Sequence, residues 1–346
     1  MVSIINKKLS VSVIVDTYNH AEFIEEAIDS VLNQTFPQSK MEILVVDDGS
    51  TDETSEKVKK YKDKIKYIHK GNGGQASAFN VGFKHAQGEY LVLLDADDLC
   101  MPERIEKAVN EFENHHSLAI VLNSRHIVGK NIDIWENHSE YHNLKLTENT
   151  IKEFTKCSYG SSRTSLRKSI VANILPIPEC MKLEADLYLL SILAFGNLSC
   201  LKEHLTLYRV HSSNLFHTSD INKIPLKIES IKAALDSIPS IFSKNSEYSK
   251  ETISQLLLPY QIELKQLEFA NKVYISGNAK SRDFFKLELQ RLKFFWRDWP
   301  FLYKVYKIMQ LPFLLVLPPS FLFKILQTYK DKKLYLIRQI FFPNRS

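Results

Sequence analysis

Residues 89–98 read EYLVLLDADD, an apolar run, Tyr90–Leu94, that ends on Asp95, Asp97 and Asp98. A short, uninterrupted apolar run of this kind suits a strand covered on both faces. The same pattern stands upstream in EILVVDDGSTD (residues 42–52), where Ile43–Val46 runs into Asp47 and Asp48. A third run, VSVIV (Val11–Val15), is followed by Asp16. Helical periodicity fills the gaps. Ile24, Ala27, Ile28, Val31 and Leu32 lie at helical spacing behind Glu22, Glu25 and Glu26, which suit early helical turns. Thr51 is placed to cap a helix through Tyr61, KIKYIH reads as an alternating strand, and GGQASAFNVGFKHAQG as a Gly-flanked helix. Pro102 opens a further helix with Ile105, Ala108, Val109 and Phe112 on one face. Alternating strands and helices predict an α/β fold with a mostly parallel sheet. The ligand site should then lie beyond the strands' carboxyl ends.

In a parallel sheet those carboxyl ends share one edge, so the two aspartate clusters converge. Converged carboxylates repel one another unless a cation or hydrogen-bond donors compensate. An oxygen-rich, thiol-free cluster suits Mg²⁺ or Mn²⁺, whose remaining positions are commonly filled by water and phosphate oxygens. A metal-bound diphosphate is the ligand class this predicts. Each cluster taken alone also reads as turn and cap chemistry, since Asp-Gly-Ser-Thr-Asp is a good turn and Asp98 precedes Pro102.

Further along, LAIVLNS reads as a strand, Leu187–Leu201 as a buried helix followed by a turn, and LTLYRVH as a short strand. After about Asn222 the pattern becomes helical, over Ile224–Phe242, Glu251–Tyr274 and Ser281–Trp296, so a catalytic domain over 1–221 and a helical region over 222–346 are expected.

The chain has 346 residues, 44% hydrophobic and 25% charged, which excludes a disordered or collagen-like polymer; only 10 are Gly. Its net charge of +5 is unevenly spread. Residues 291–346 hold 11 Lys/Arg against 2 Asp/Glu, and the rest 34 against 38. The basic tail interleaves Trp, Tyr and Phe with cations, which suits the headgroup layer of an anionic membrane. A helical cap packed on the domain with a solvated basic face is the other reading. The uncharged stretch Ile308–Phe323 has 16 residues and contains Pro312, Pro318 and Pro319, too short and broken for a spanning helix. MVSIINKKLS lacks the apolar core of a secretory signal. A cytoplasmic protein, peripheral on the inner face of the cell membrane, is therefore expected. Cys100, Cys157, Cys180 and Cys200 fit no zinc spacing and read as reduced thiols. Nucleic-acid binding is disfavoured by the acidic body. A nicotinamide enzyme needs a glycine-rich first strand–helix turn, and here that turn is DTYNHAEF.

VSVIVDTYNHAEFIEEAIDSVLNQT, EILVVDDGSTDET, NGGQASAFNVGF and GEYLVLLDADD, in this order and spacing, closely resemble family-two glycosyltransferases of the GT-A fold. The resemblance implies a Rossmann-like α/β domain acting on a nucleotide-sugar donor and a glycan or lipid-linked acceptor, with Mn²⁺ or Mg²⁺. It places Thr17, Tyr18 and Asn19 at the nucleotide base, with Tyr18 stacking, and Asp47 and Asp48 near base and ribose. Gly74, Gln75, Asn80 and Ala96 also join the donor site. Asp95 and Asp97 match the DXD motif, with Asp97 as metal ligand. Asp16 stands where the family usually has Pro, and Phe79 where many members have Arg.

Inverting transfer also needs a base for the acceptor hydroxyl. KLEADLYLLS resembles the family's acidic acceptor motif and puts Glu184 at the base position, with Asp186 the alternative or a helix cap. LYRVHSSN resembles the segment that closes over the diphosphate, with Arg209 neutralising the leaving group and His211 a candidate metal ligand. His115 and His116 receive no chemical role; they end a helix, where a cation suits the dipole. A non-catalytic membrane-surface scaffold with a degenerate transferase fold is the other functional class, motivated by Phe79 and Glu184.

Overall fold

The computed structural model describes residues 9–272, apart from positions 131, 158, 212, 213, 215–222 and 246, together with residue 289. In chain order the elements are β1 (Val11–Thr17), α1 (Ile24–Leu32), β2 (Met41–Asp47), α2 (Thr54–Val58), β3 (Lys66–His69), α3 (Gln75–His85), β4 (Tyr90–Asp95), β5 (Leu99–Cys100), α4 (Arg104–Asn114) and β6 (Leu118–Gly129). There follow β7 (Ile132–Glu136), β8 (Tyr141–Leu144), α5 (Ile151–Lys156), β9 (Thr164–Arg167), α6 (Lys168–Val171), α7 (Ala185–Tyr188), β10 (Asn197–Val210), α8 (Ile224–Phe242) and α9 (Lys250–Asn271).

The described strands form one sheet in the order β3-β2-β1-β4-β9-β6-β10-β5, with β7 on β6 and β8 on β10. β3, β2, β1 and β4 are mutually parallel, as the apolar runs predict. β9 then inserts antiparallel between β4 and β6, so the second half of the sheet is mixed. The order reverses between β1 and β4, because β1 leads to β2 on one side while β4 pairs on the other. A crevice opens outside the carboxyl ends at such a switch point. Asp16 and Asp95 are directly paired there.

The core lies where the sheet meets α1 and α4. Val11, Val13, Val15, Val92, Leu94, Ile24, Ile28, Ile105 and Phe112 are all buried within it. On the other face Gly82 of α3 lets the helix touch β1, since a Cβ there would lie 2.6 Å from Cγ2 of Ile14. Phe79 is wholly buried, with its ring 6.0 Å from that of Phe83. The residue that departs from the family's Arg is therefore a core side chain.

Two sequence expectations are corrected locally. The 187–201 stretch is only a short helix and a 3-10 turn to Ala194, after which β10 runs for 14 residues and takes in the whole LTLYRV segment. Thr51 does not cap α2: that helix begins at Thr54, and Oδ1 of Asp52 accepts the Thr54 amide instead. Cys100, Cys157 and Cys200 are buried free thiols and Cys180 is exposed.

Two compact units divide the chain, one of Met1–Asn214 with Asp236–Leu256, the other of Leu215–Leu235 with Leu257–Ser346. In the first, the segment after α8 docks on the turn before β10 through Asn245 Nδ2 to the Ala194 carbonyl (3.1 Å) and Tyr248 OH to the Leu193 carbonyl (2.9 Å). In the second, Lys232 pairs with Glu268 at 2.6 Å. Apart from residue 289, the expected helix Ser281–Trp296 and the basic tail 291–346 lie outside the described residues. Among the described residues no helix is long and apolar enough to cross a membrane.

Candidate active site

Asp95, Asp97 and Asp98 leave β4 together, and one carboxylate oxygen from each lies within 4.8 Å of the others. Asp95 is held from the neighbouring segment: Ser161 Oγ donates to both its oxygens (2.5 and 2.6 Å), and its amide donates to Ser162 Oγ (2.9 Å). Burial and the charge of Asp97 nonetheless push its carboxyl up to about 6. Asp16, across the switch point, is raised well above the carboxylate range by burial and by Asp95, with which it shares a hydrogen bond. Asp98 is raised too, by burial and the charges of Asp97 and Asp95.

Asp97 differs. Burial opposes its charge, but His211 and His20 overcome that and hold it below its usual value. Its Oδ2 faces His211 Nε2 at 3.1 Å, Asn214 Nδ2 at 2.9 Å and His20 Nε2 at 3.9 Å. Phe23 forms the floor, 4.4 Å from the His211 ring and 4.9 Å from the Arg209 guanidinium. Arg209 ties β10 to this corner. Its amide donates to Asp98 Oδ1 (3.0 Å), its Nε to the Asp97 carbonyl (2.5 Å) and its Nη1 to Glu26 (2.5 Å).

Other predicted residues are brought to the same edge in supporting roles. Asp47 is fully buried between the Ser50 amide (2.7 Å) and Tyr67 OH (2.5 Å), and burial with this bond pushes Tyr67 up to about 12. Asp48 accepts Lys70 Nζ (2.5 Å) and the Gly73 and Gly74 amides. Asn19, at φ 56°, accepts the Thr51 amide and so pins the 50–52 loop. Thr17 is buried, whereas Tyr18 is 42% exposed, with its ring free to meet a flat ligand. Ala96 donates its amide to the Asp16 carbonyl. Asn80 is tied to the 177 segment: its Nδ2 donates to the Ile177 carbonyl and its Oδ1 accepts the Ile177 amide (2.8 Å each).

The 181–185 loop is latched to α3. Gln75 and Ala76 amides donate to the Lys182 and Met181 carbonyls, and Gln75 Oε1 accepts the Ala185 amide (3.1 Å). Gly74 permits this contact, with φ +86° and only 2.6 Å from a Cβ position to Lys182 Cα. Glu184 follows at φ 58°, left-handed and half-buried. A non-glycine residue held there marks a site where surrounding structure over-determines the backbone. Asp186 is buried, takes the Leu187 amide on Oδ1, and is pushed well up by burial, Glu184 and Asp95.

His20, Asn214, Ser161 and Ser162 escaped the sequence reading. The first two sit inside quoted motifs, DTYNH and LYRVHSSN. The serines carry no local signal, because the antiparallel insertion of β9 alone brings them beside β4.

The donor set fits a hard divalent cation. Four carboxyls share one buried corner, and Asp16 Oδ1 and Asp98 Oδ2 lack partners among the described residues. Fold and site together have the plan of a GT-A domain. Comparison with known proteins agrees: residues 12–175 match the family described as Glycosyl transferase family 2. The chain is 33% identical to an uncharacterized glycosyltransferase of Nostoc over 217 residues, 60% of this chain and 66% of that protein. It is 34% identical over 125 residues to the poly(ribitol-phosphate) beta-N-acetylglucosaminyltransferase TarS of Staphylococcus aureus, 35% of this chain and 22% of that one. The chain thus spans less than two thirds of these relatives. Crystal structures of S. aureus TarS 1–349 with UDP-GlcNAc (TM-score 0.56, 19% identity, covering 88% and 90%) and of a mannosyltransferase from Pyrobaculum calidifontis with GDP-Man and Mn²⁺ (0.51, 18%, 90% and 86%) share its fold. Residues 12–175 are thus a glycosyltransferase family 2 domain, and the fold is GT-A.

Proposed function

We propose that the chain moves a sugar, with inversion at the anomeric carbon, from a nucleoside-diphosphate sugar to a hydroxyl of a glycan or lipid-linked saccharide, in surface polysaccharide synthesis. The carrying observation is the Asp95–Asp97–Asp98 cluster facing His211 at the sheet's switch point. Asp97 and His211, with Asp95, would hold Mn²⁺ or Mg²⁺. Such a cation neutralises the charge developing on a departing diphosphate. Arg209, beside them, adds a fixed positive charge to the same corner. Exposed Tyr18 suits stacking on the nucleotide base, and the UDP and UDP-GlcNAc in TarS structures favour a uridine or thymidine donor.

Glu184 is the better base. It is half-buried in a strained turn, whereas Asp186 is buried with one oxygen bound to an amide and its carboxyl held towards the neutral form. In this reading Glu184 takes the acceptor hydroxyl proton as that oxygen attacks the anomeric carbon, and the nucleoside diphosphate leaves on the opposite face. The latch from Gln75 positions the loop. Catalysis is preferred over a scaffold because Phe79, the main departure, belongs to the core and not the site. A lipid-linked acceptor at a membrane surface rests on the composition of the basic tail.

The test is release of nucleoside diphosphate by the full chain from UDP- and dTDP-sugars with Mn²⁺. Turnover is expected, and Asp97→Asn should lower it at least about 10²-fold, the scale of losing one charge-stabilising group. No turnover of any donor, with or without acceptor saccharides, refutes the proposal.

A further inference from the structure

A second constellation lies at the opposite edge of the sheet. The helix α4 carries the chain back from the carboxylate cluster to the start of β6, and its last turn presents Glu111, with His115 just after it. β8, an edge strand on β10, presents His142 to the same point. One ligand atom from each of Glu111, His115 and His142 lies within 4.8 Å of the others. Glu111 Oε1 is 2.9 Å from His142 Nδ1 and 3.8 Å from His115 Nε2. A tetrahedral zinc ion with ligands at about 2.0–2.1 Å has ligand–ligand edges of about 3.3–3.4 Å, between these two values.

The residues behind the three are those that orient metal ligands. Ser199 Oγ donates to Glu111 Oε1 (2.7 Å) and is itself fixed by the Asn143 amide (2.8 Å). Glu140 stands 3.6 Å from His142 Nε2, ready to take that N–H when Nδ1 faces a cation. Glu111 is nearly buried, while both imidazoles reach solvent, so an ion has an entry path and an open position for water. The C-terminal end of α4 adds the negative end of its dipole. Two imidazoles and one carboxylate suit a borderline divalent ion better than Mg²⁺ or Ca²⁺.

We propose that Glu111, His115 and His142 form a zinc site, separate from the donor site, that clamps the end of α4 to β8. His115 thereby acquires a role that its place at a helix end did not suggest, because its partner lies 27 positions downstream on a strand.

The experiment titrates chelator-stripped full chain with ZnCl₂ against a competing indicator, in an Asp97→Asn background that disables the carboxylate cluster. One zinc equivalent should remain, and Co²⁺ in its place should give tetrahedral visible absorption. His142→Ala, at a half-exposed position, should weaken this equivalent more than about tenfold, the least that loss of even an outer partner costs in metal sites. His115→Gln should do the same and serves if the first variant folds poorly. No remaining equivalent, or one that both histidine variants bind as tightly as the parent does, overturns the site and leaves Glu111–His142 a simple ion pair.

Discussion

Replacing Gly74 by Ala tests whether the latch between α3 and the 181–185 loop holds the acceptor side in place. Gly74 has φ 86° and ψ 176°, a region essentially restricted to glycine, where Ala costs about 1–3 kcal/mol. The new methyl would stand 2.6 Å from Lys182 Cα and 2.9 Å from its carbonyl oxygen, both backbone atoms that cannot rotate aside. Overpacking of this kind costs about 1–3 kcal/mol more. The sum is about 2–6 kcal/mol, a large part of the roughly 5–15 kcal/mol that holds a domain. At about 2–4 °C per kcal/mol, melting should fall by at least about 4 °C. The loop can relieve the clash only by moving off α3, which breaks the bonds from Gln75 and Ala76 and displaces Glu184. A displacement near 1 Å costs about 10²-fold in rate. The assay pairs thermal unfolding with release of nucleoside diphosphate from whichever UDP- or dTDP-sugar the parent chain turns over. Gly71→Ala is the control, because its Cβ meets nothing within 4 Å. If Gly74→Ala melts within about 1 °C of the parent and keeps its turnover, the latch argument is wrong.

Glu184→Gln should lower kcat about 10²–10⁴-fold with donor KM little changed, whereas a fall in donor affinity alone would move the base elsewhere. Glu136 sits 2.6 Å from Arg125 and 3.5 Å from buried Arg163; burial opposes its charge, yet the two guanidiniums hold its carboxyl down to about 2. The depressed carboxyl contributes stability present above about pH 4.5 and lost as pH falls towards 2, so Glu136→Gln should cost about 3 kcal/mol in denaturant unfolding at pH 7 and far less at pH 2, while equal losses at both would show the ion pair is not responsible. Tyr67→Phe leaves one oxygen of fully buried Asp47 unpaired and should destabilise by about 1–3 kcal/mol; a neutral effect would mean that water replaces the hydroxyl.

How much of this was legible in the chain follows from how far each contact reaches. The four parallel strands, the helices between them and the convergence of Asp95, Asp97 and Asp98 on one edge followed from local periodicity. Helices on both faces of a parallel sheet bury uninterrupted apolar runs of this kind. The span of α8 could likewise be read from its repeat. What sequence alone did not reveal depends on pairings between distant segments. β9 enters antiparallel and delivers Ser161 and Ser162 to Asp95; β10 begins eight residues before its recognisable LTLYRV segment because Leu198–Leu201 pair with β6 instead of coiling. Asp47, Asp48 and Asn80, alike by motif to ligand-binding residues, are drawn into internal hydrogen bonds by Tyr67, Lys70 and Ile177. Glu184 and Asp186 are both acidic and two positions apart, and only packing buries Asp186 and leaves Glu184 half-open. Sequence determined which chemistry gathers at the sheet's edge; tertiary structure decided which of those side chains remain available to a ligand, because availability is set by neighbours that local patterning does not encode.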